Sequence, residues 1–505
     1  MKKILYILTG LLLASSFVAC EPEFSKPLSD DLYTSGDADF SKYVAVGNSL
    51  TAGYTNGTLY KSGQENSFPA ILAEQMKLAG GGEFTQPYYE DDSKDIGGMV
   101  FNGSTVILDP KLIINLSAGA PERINETPTV DVMQVHPGPY NNMGVPGAKI
   151  FHLVAPGYGN LANLPLQKAN PYFIRMASAP DKTIVEDVLA QQPTFFTFWI
   201  GGNDVLWYAT SGGVGVDQNE TGNLDPSTYG PNDITNVNVF TAIYSQIVDA
   251  LTANGAKGVL ATVPDVASLP YFTTIPYNPI PIEDQAQADA LNAAYANYNG
   301  GIQQALAGGL ITPDEADART INFQLGANAL VMTDEYLTDL SNLGLPSIRQ
   351  ATADDLVILP AKSVIGVAPD PNNPQLINGI TIPLGDEWIL SAHEVGQVRT
   401  ATAGFNQTIN TIAAIKDLPV ADMAALMEDM KSGLVIEDGS MYTADYFNGT
   451  NLDNLTFSLD GVHPTSRGYA IIANKFIDVI EQKYGAKLPK VVPAQYPTFD
   501  ILPSN

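Results

Sequence analysis

Continuous runs of apolar and β-branched residues alternate along this chain with stretches of helical periodicity. Three such runs predict buried strands: 43–46, 195–200 and 259–263. Apolar residues at helical spacing predict amphipathic helices over 184–189 and 240–251, and Thr183 with Glu186 forms a capping box before the first of them. Strands and helices alternating at this spacing predict βαβ units and therefore a parallel sheet.

The pattern is looser in the middle of the chain and regular again towards its end. Residues 83–140 are irregular and polar, and 266–393 combine one Ala-rich, helix-prone stretch with Pro-rich segments. Ser391 and Glu394 form a second capping box, which predicts a helix to about residue 415. A last helix is predicted over 466–484, where Gly485 ends it.

These boundaries predict one α/β domain that an insertion divides. The expected domain takes residues 41–265 and 394–485, and the insertion of residues 266–393 packs on it before the last helices. Residues 20–40 are expected to be a tether, and residues 486–505 a C-terminal tail.

The chain of 505 residues has a formal net charge of -29. Such an acidic protein offers no basic surface for phosphates, which argues against nucleic acid as a partner. It argues equally against electrostatic adhesion to anionic lipid. The charge is typical of a solvated, acidic surface outside the cytoplasm.

The N-terminus predicts export and anchoring. Lys2 and Lys3 precede an apolar run that ends at Cys20, the only cysteine, so residues 1–19 have the pattern of a signal peptide. A lone cysteine at that point resembles a bacterial lipoprotein site, where the thiol is lipidated. We therefore expect a lipid anchor in the cell envelope, at the outer membrane, on a face that the sequence leaves open. The alternative is an ordinary signal with a coincidental cysteine.

Four separated loops carry the residue types that acyl transfer through a serine requires. Ser49 follows the first predicted strand as a candidate nucleophile, and His463 is its candidate base. Asp460, three residues before the histidine, is suited to fix the imidazole tautomer. Candidate donors for an oxyanion are the side chain of Asn203 and the backbone N–H groups of Gly147 and Ser49.

In order along the chain, these loops resemble the blocks of the SGNH (GDSL-type) esterase and lipase family. The matching blocks are Gly47-Asn48-Ser49-Leu50, Gly147, Gly201-Gly202-Asn203-Asp204 and Asp460-Gly461-Val462-His463-Pro464. The resemblance implies a three-layer α/β/α sandwich with a central parallel sheet, related to the flavodoxin type. It also implies hydrolysis of carboxylic esters through an acyl-enzyme on Ser49. Asn48 replaces the family's usual aspartate, at a position outside its catalytic residues.

Two alternatives stay open at this stage. One is a surface glycan-binding lipoprotein without catalysis, and the other is an acyltransferase with the same fold. Cofactors and metals are not expected, because no His, Cys or Glu grouping has metal-ligand spacing and no glycine loop has phosphate-binding residues. The expected partner is a small-molecule or glycan ester; the identity of that ester and the oligomeric state are left open.

Overall fold

The computed structural model describes residues 32–90, 94–449 and 452–502. Its centre is a five-stranded sheet in which every pairing is parallel. The strands are β1 (Tyr43–Gly47), β2 (Asn142–Gly144), β3 (Phe195–Trp199), β4 (Lys257–Ala261) and β5 (Val420–Ala421). The predicted signal sequence and Cys20, its predicted lipidation site, lie outside the described residues.

The strand order across the sheet is β2-β1-β3-β4-β5. The chain leaves β1 for one neighbour and then crosses to the other side, so the direction of winding reverses at β1. Open sheets of this kind bind ligands beyond the carboxyl ends of the strands at such a reversal. The expected α/β fold class with a central parallel sheet is confirmed.

Helices cover both faces of the sheet. The main ones are α1 (Ser49–Ala52), α2 (Phe68–Lys77), α3 (Ile184–Leu189), α4 (Asn203–Thr210), α5 (Val237–Thr252), α6 (Ala392–Lys416), α7 (Met423–Ser432) and α8 (Ser466–Tyr484). The capping boxes predicted for α3 and α6 are both present, and Gly485 ends α8 in the left-handed conformation.

Two neighbouring residues of β3 show how the layers are divided. Successive side chains of a strand point to opposite faces of the sheet. Trp199 packs against Phe68 of α2 and Phe476 of α8, whereas Phe198 stacks on Tyr244 of α5. Helices α2 and α8 therefore form one outer layer, and α5 lies in the other together with α3 and α6.

The remaining elements are short and lie outside the central sheet. The other helices are Lys61–Glu65, Pro171–Met176, Gln218–Thr221, Pro270–Thr273, Gln285–Ala307 and Pro313–Arg319. The 3-10 turns are Ile150–Val154, Leu161–Leu166, Pro226–Thr228, Val266–Ser268, Ser341–Leu343, Leu359–Ser363, Asp386–Trp388 and Pro493–Gln495. The small sheets pair Met99–Phe101 with Thr105–Leu108, Leu112–Asn115 with Ala120–Arg123 and Ile501–Leu502, Ile280–Ile282 with Gly326–Asn328, Val331–Thr333 with Ile348–Gln350, Leu356–Val357 with Ile389–Leu390, and Leu434–Val435 with Met441–Tyr442.

The structure differs from the sequence prediction in two segments. The region 83–140, expected to be irregular, forms two hairpins whose strands are too short to show a period of two. Residues 34–40, assigned to the tether, are folded against the C-terminal helix: the N–H of Asp37 donates to the carbonyl of Tyr484, and Phe40 is buried in the core. None of the described helices is both long and apolar enough to cross a bilayer.

Candidate active site

Ser49 lies where β1 ends, at the first position of α1. All five residues of β1 are buried, which fixes the point where the chain leaves the sheet. The side chain of Asn48 accepts a hydrogen bond from the N–H of Leu50 at 3.1 Å and so caps the helix. Gly53 then ends α1 with a φ of 83°. Capped at both ends, this single turn holds Ser49 at the carboxyl edge of the sheet.

The structure brings Ser49, His463 and Asp460 together in one hydrogen-bonded chain. Nε2 of His463 lies 2.9 Å from Oγ of Ser49, and Nδ1 lies 2.9 Å from Oδ2 of Asp460. An ionised carboxylate can only accept, so Nδ1 carries the proton and Nε2 offers its lone pair to the serine. The ring of Tyr54 packs against the imidazole with 4.4 Å between centroids, which holds the ring in this orientation.

Asp460 is surrounded by donors. Oδ1 accepts from the N–H groups of Val462 and His463 and from the hydroxyl of Ser458, and Oδ2 also accepts from the N–H of Gly57. Burial by itself would raise the pKa of this carboxyl, but the charge and hydrogen bonds of His463 outweigh it. The pKa of Asp460 is lowered to about 2, so the group is ionised at neutral pH.

Asn203 and Gly147 lie on the loops that follow β3 and β2. Asn203 is buried at the start of α4, where its Nδ2 donates one hydrogen bond to the carbonyl of Ala148 at 3.0 Å. Its second amide hydrogen stays available, and Asn203 lines the same cavity as Ser49. Gly147 has a φ of 80°, and within the described part of the chain its N–H donates to no acceptor. Ser49 is the first residue of its helix, so its N–H has no intrahelical acceptor either.

Asp204 and Lys149 support these loops, and the sequence analysis gave neither a role. Both carboxylate oxygens of Asp204 accept from the N–H of Ile150, at 3.2 and 3.1 Å, which ties the Gly147 loop to α4. Burial raises the pKa of Asp204 to about 6. Burial also lowers the pKa of Lys149 to about 8, against the opposing charges of Asp204 and Asp233. The sequence signal was Asp204 itself, which directly follows Asn203.

An apolar cavity of about 80 Å³ opens beside Ser49 and His463. The side chains that line it are mostly aliphatic or thioether groups: Leu50, Leu206, Val266, Leu269, Met423, Leu426, Met427, Met430, Val462 and Ile472. Four of these residues come from α7, the helix that directly follows β5. The nucleophile therefore lies at the edge of a space that favours hydrocarbon.

Two further described histidines, His152 and His393, lie in different surroundings. The ring of His152 stacks on Tyr158, and its Nδ1 accepts from the N–H of Lys149, so it packs the loop rather than facing Ser49. Burial lowers the pKa of His152 to about 3. His393 lies in the first turn of α6 and stacks on Tyr336, as expected of a structural residue.

One acidic cluster has a geometry that a cation would tolerate. The carboxylate oxygens of Glu335, Asp386 and Glu394 lie within 4.8 Å of one another. These residues come from separate parts of the chain, so sequence spacing could not have indicated the cluster. It contains none of the predicted site residues.

No protein-family profile matches this sequence, and no curated protein is similar enough to count as a match. Among solved structures, a lipase/acylhydrolase from Enterococcus faecalis shares 10% identity at a TM-score of 0.27, covering 89% of this chain and 98% of that one. A catalytic mutant of Axe2, an acetylxylan esterase from Geobacillus stearothermophilus, shares 10% identity at a TM-score of 0.29. The match covers 88% of this chain and 95% of that one. The acetyl xylan esterase AlAXEase shares 12% sequence identity at a TM-score of 0.28, and the match covers 86% of this chain and 98% of that one. Similarity this low transfers no activity, so function rests on the site itself.

Proposed function

We propose that the protein is a serine hydrolase of carboxylic esters. The observation that carries this proposal is the continuous chain of hydrogen bonds from Ser49 through His463 to Asp460, with 2.9 Å at each step. Each member has the protonation state that nucleophilic catalysis needs: an ionised carboxylate, an Nδ1–H and a free Nε2 lone pair beside the hydroxyl. The first and last of the four blocks that resemble the SGNH family supply those residues.

The reaction would proceed by double displacement. Oγ of Ser49 attacks the ester carbonyl carbon while Nε2 of His463 takes its proton. The tetrahedral intermediate expels the alcohol, which receives that proton from Nε2, and the acyl group stays on Ser49. Water then loses a proton to Nε2 and attacks the acyl carbon, so that the acid leaves and Ser49 regains its hydrogen.

The negative oxygen of each intermediate needs donors that are already in place. The spare amide hydrogen of Asn203 and the N–H groups of Gly147 and Ser49 are the donors proposed for it. The first two belong to loops that are joined to each other through Ala148, so they form one rigid unit. Donors held in this way cost no reorganisation when charge develops.

The cavity beside Ser49 indicates the kind of ester. Its volume of about 80 Å³ is roughly half that of an apolar cavity that accepts a benzene ring (~150 Å³). We propose that it takes an acyl or alkyl group of a few carbons. This favours short-chain esters over long acyl lipids.

The two alternatives are less well supported. A glycan-binding protein without catalysis would not need a buried carboxylate, an imidazole and a hydroxyl aligned in this way. An acyltransferase would use the same three residues but would pass the acyl group to an alcohol instead of water. Product analysis separates transfer from hydrolysis, because only transfer conserves the ester bond.

The test is hydrolysis of p-nitrophenyl butyrate by the wild type and the Ser49→Ala variant. Because the hydroxyl is partly exposed to the cavity and Ala fits the helix, we expect loss of turnover with an almost unchanged melting temperature. A fluorophosphonate should label the wild type and not the variant. His463→Ala should lose turnover as well, and Asp460→Asn should leave a residual rate. Turnover that survives in Ser49→Ala refutes the proposal.

We also propose that Cys20 carries a lipid and holds the protein at the outer membrane. The support is the apolar run that ends at the only cysteine of the chain. More than one acyl chain on this residue would suffice for stable attachment. The Cys20→Ala variant should move from the membrane fraction to the soluble fraction. A variant that stays with the membrane would contradict the lipid anchor.

A further inference from the structure

A second and larger cavity lies at the C-terminal end of α1, whereas the apolar one lies at its N-terminal end. The volume of the larger cavity is about 800 Å³, within the range of small-molecule sites. Ser49 lines the apolar cavity, whereas Ala52, three residues further on, lines this one. Tyr54 contacts both His463 and Tyr172, a wall residue of the large cavity, so an aromatic layer separates the two spaces. We call this space the polar cavity.

Arg175 lies in the wall of the polar cavity without a counter-ion. The residue is only 7% exposed, its Nε has no hydrogen-bond partner, and its guanidinium forms no ion pair with any described residue. The face of Tyr89 packs against it, 4.7 Å from Cζ to the ring centroid. A buried cation without an anion is costly to fold, so proteins normally supply one. Here the space beside it is open cavity.

The rest of the wall is rich in phenol rings and amides. Tyrosines Tyr88, Tyr89, Tyr140 and Tyr172 line it together with Gln64, Gln86, Gln134 and Asn142. The hydroxyl of Tyr89 is buried and has no hydrogen-bond partner. The amides of Gln64, Gln86 and Asn142 already form hydrogen bonds within the protein, which leaves the tyrosine ring faces and the hydroxyl of Tyr89 to meet a ligand. These groups suit a ligand that is itself a ring with hydroxyl groups, rather than a hydrocarbon.

The other charged side chains named at the wall are paired or exposed, whereas the charge of Arg175 is buried. Lys61 at the wall pairs with Glu90 at 3.3 Å, and the side chain of Asp95 is bound by Ser62 and by Lys111. Glu65 and Glu90 are exposed at the mouth. Arg175 is therefore the cation with which a ligand's anion would pair, and its planar fork fits a carboxylate.

We propose that the polar cavity binds a sugar acid, whose carboxylate pairs with Arg175 and whose ring packs on the tyrosines. This site is separate from Ser49, and the proposal does not depend on whether Ser49 is catalytic. A ligand of this kind would leave the acyl chemistry untouched and would give the protein a second recognition function.

The experiment is titration calorimetry of the full chain with trigalacturonate, with neutral maltotriose and with inorganic phosphate. We expect trigalacturonate to bind, maltotriose not to bind, and Ser49→Ala to bind like the wild type. Arg175→Met should weaken binding about thirtyfold or more, whereas Arg175→Lys should weaken it less. Lys182→Met, which removes a paired and exposed cation outside the cavity, is the matched control and should change binding little.

The melting temperature without ligand gives an independent readout. Replacing an arginine with a purely structural role would lower the melting temperature. Replacing a buried arginine that lacks its anion should not, so Arg175→Met should melt at or above the melting temperature of the wild type. A clear loss of melting temperature in Arg175→Met would overturn the proposal. So would equal binding of maltotriose, binding of phosphate alone, or trigalacturonate binding that Arg175→Met leaves unchanged.

Discussion

The backbone N–H of Gly57 donates a 2.9 Å hydrogen bond to Oδ2 of Asp460, the carboxylate oxygen that also faces His463. The two residues are 403 positions apart in sequence. Gly57 belongs to the turn 55–58, whose central residues Asn56 and Gly57 both have positive φ, at 51° and 78°. Two successive left-handed residues of the type Asn-Gly form the tight turn favoured in hairpins. The turn thus orients a carboxylate at the far end of the chain.

We expect Gly57→Ala to lower kcat by about tenfold to a hundredfold. A Cβ at this φ strains the turn by about 1–2 kcal/mol, and a shifted turn misdirects the N–H that holds Asp460. The added Cβ itself would meet only the flexible end of Arg123, at 3.0 Å, so strain and not collision is the cause. Steady-state kinetics on p-nitrophenyl butyrate, with thermal melts, measure both effects.

Gly255→Ala is the matched control for that variant. Gly255 has a φ of 82° and nothing within 4 Å of the position of an added Cβ, so it carries the same backbone strain away from the site. It should lose a similar amount of stability while keeping kcat. Equal kcat in the two variants would show that the Gly57 turn does not position Asp460.

The sequence predicts the long elements of this fold and misses the short ones. Strands β1, β3 and β4 each contain a run of apolar or β-branched residues, and α3 and α6 begin at capping boxes, so local chemistry specifies them. Strands β2 and β5 have three and two residues, too few for any periodicity. They are strands only because β1 and β4 offer paired edges, which is a tertiary effect.

The site follows the same division. Ser49, Asn203, Asp460 and His463 could be identified because each lies in a block with distinctive composition. The groups that donate hydrogen bonds to Asp460 could not be identified from the sequence. The hydroxyl of Ser458 and the N–H of Gly57 reach its carboxylate through the packing of the folded chain. An Asn-Gly pair such as the one at 56–57 is typical of a turn, but nothing local shows what that turn contacts.

Asn203→Ala should lower kcat by about a hundredfold to a thousandfold with little change in KM. The reason is that its spare amide hydrogen meets the oxygen only when that oxygen becomes negative. The lost bond to Ala148 lowers stability slightly. Kinetics per folded molecule, with the folded fraction taken from the melting curve, separate the two losses.

Asn141→Ala provides the comparison for Asn203→Ala. Asn141 is another buried amide whose Nδ2 donates to a backbone carbonyl, that of Tyr43 at 2.7 Å, but it directly precedes β2 at the opposite end of that strand from Gly147. This variant should lose stability and keep kcat. A fall in kcat of the same size in both would assign the effect of Asn203 to folding.

Leu426→Phe should shift the preferred ester towards shorter acyl chains. Leu426 is buried on α7 and lines the apolar cavity, so the larger ring takes up part of its 80 Å³. Relative to the wild type, kcat/KM should fall more for the hexanoate than for the acetate in a p-nitrophenyl series. Ala425→Phe, which adds the same ring on the exposed side of α7, should leave the series unchanged. An unchanged series in Leu426→Phe would exclude the cavity as the acyl site.

Glu394→Gln should stabilise the protein at pH 8 and have little effect at pH 4. Glu394 is fully buried and its Oε1 has no hydrogen-bond partner. Burial, with the charge of Asp386 added, raises its pKa from 4.5 to about 8. Between those values the native state holds a proton that the unfolded chain has released, so this group lowers stability as pH rises through the window. Gln keeps the acceptor for the N–H of Ser391 and removes the charge.

Thermal melts at intervals from pH 4 to above pH 8 measure this effect. The difference between Glu394→Gln and the wild type should grow steadily across the window and level off above pH 8. Glu186→Gln tests the same position of the other capping box, where hydrogen bonding to Thr183 lowers the pKa of an exposed carboxyl. That variant should show no gain as pH rises, because its native state already prefers the charged form. A constant difference at all pH values for Glu394→Gln would mean that Glu394 does not titrate in this window.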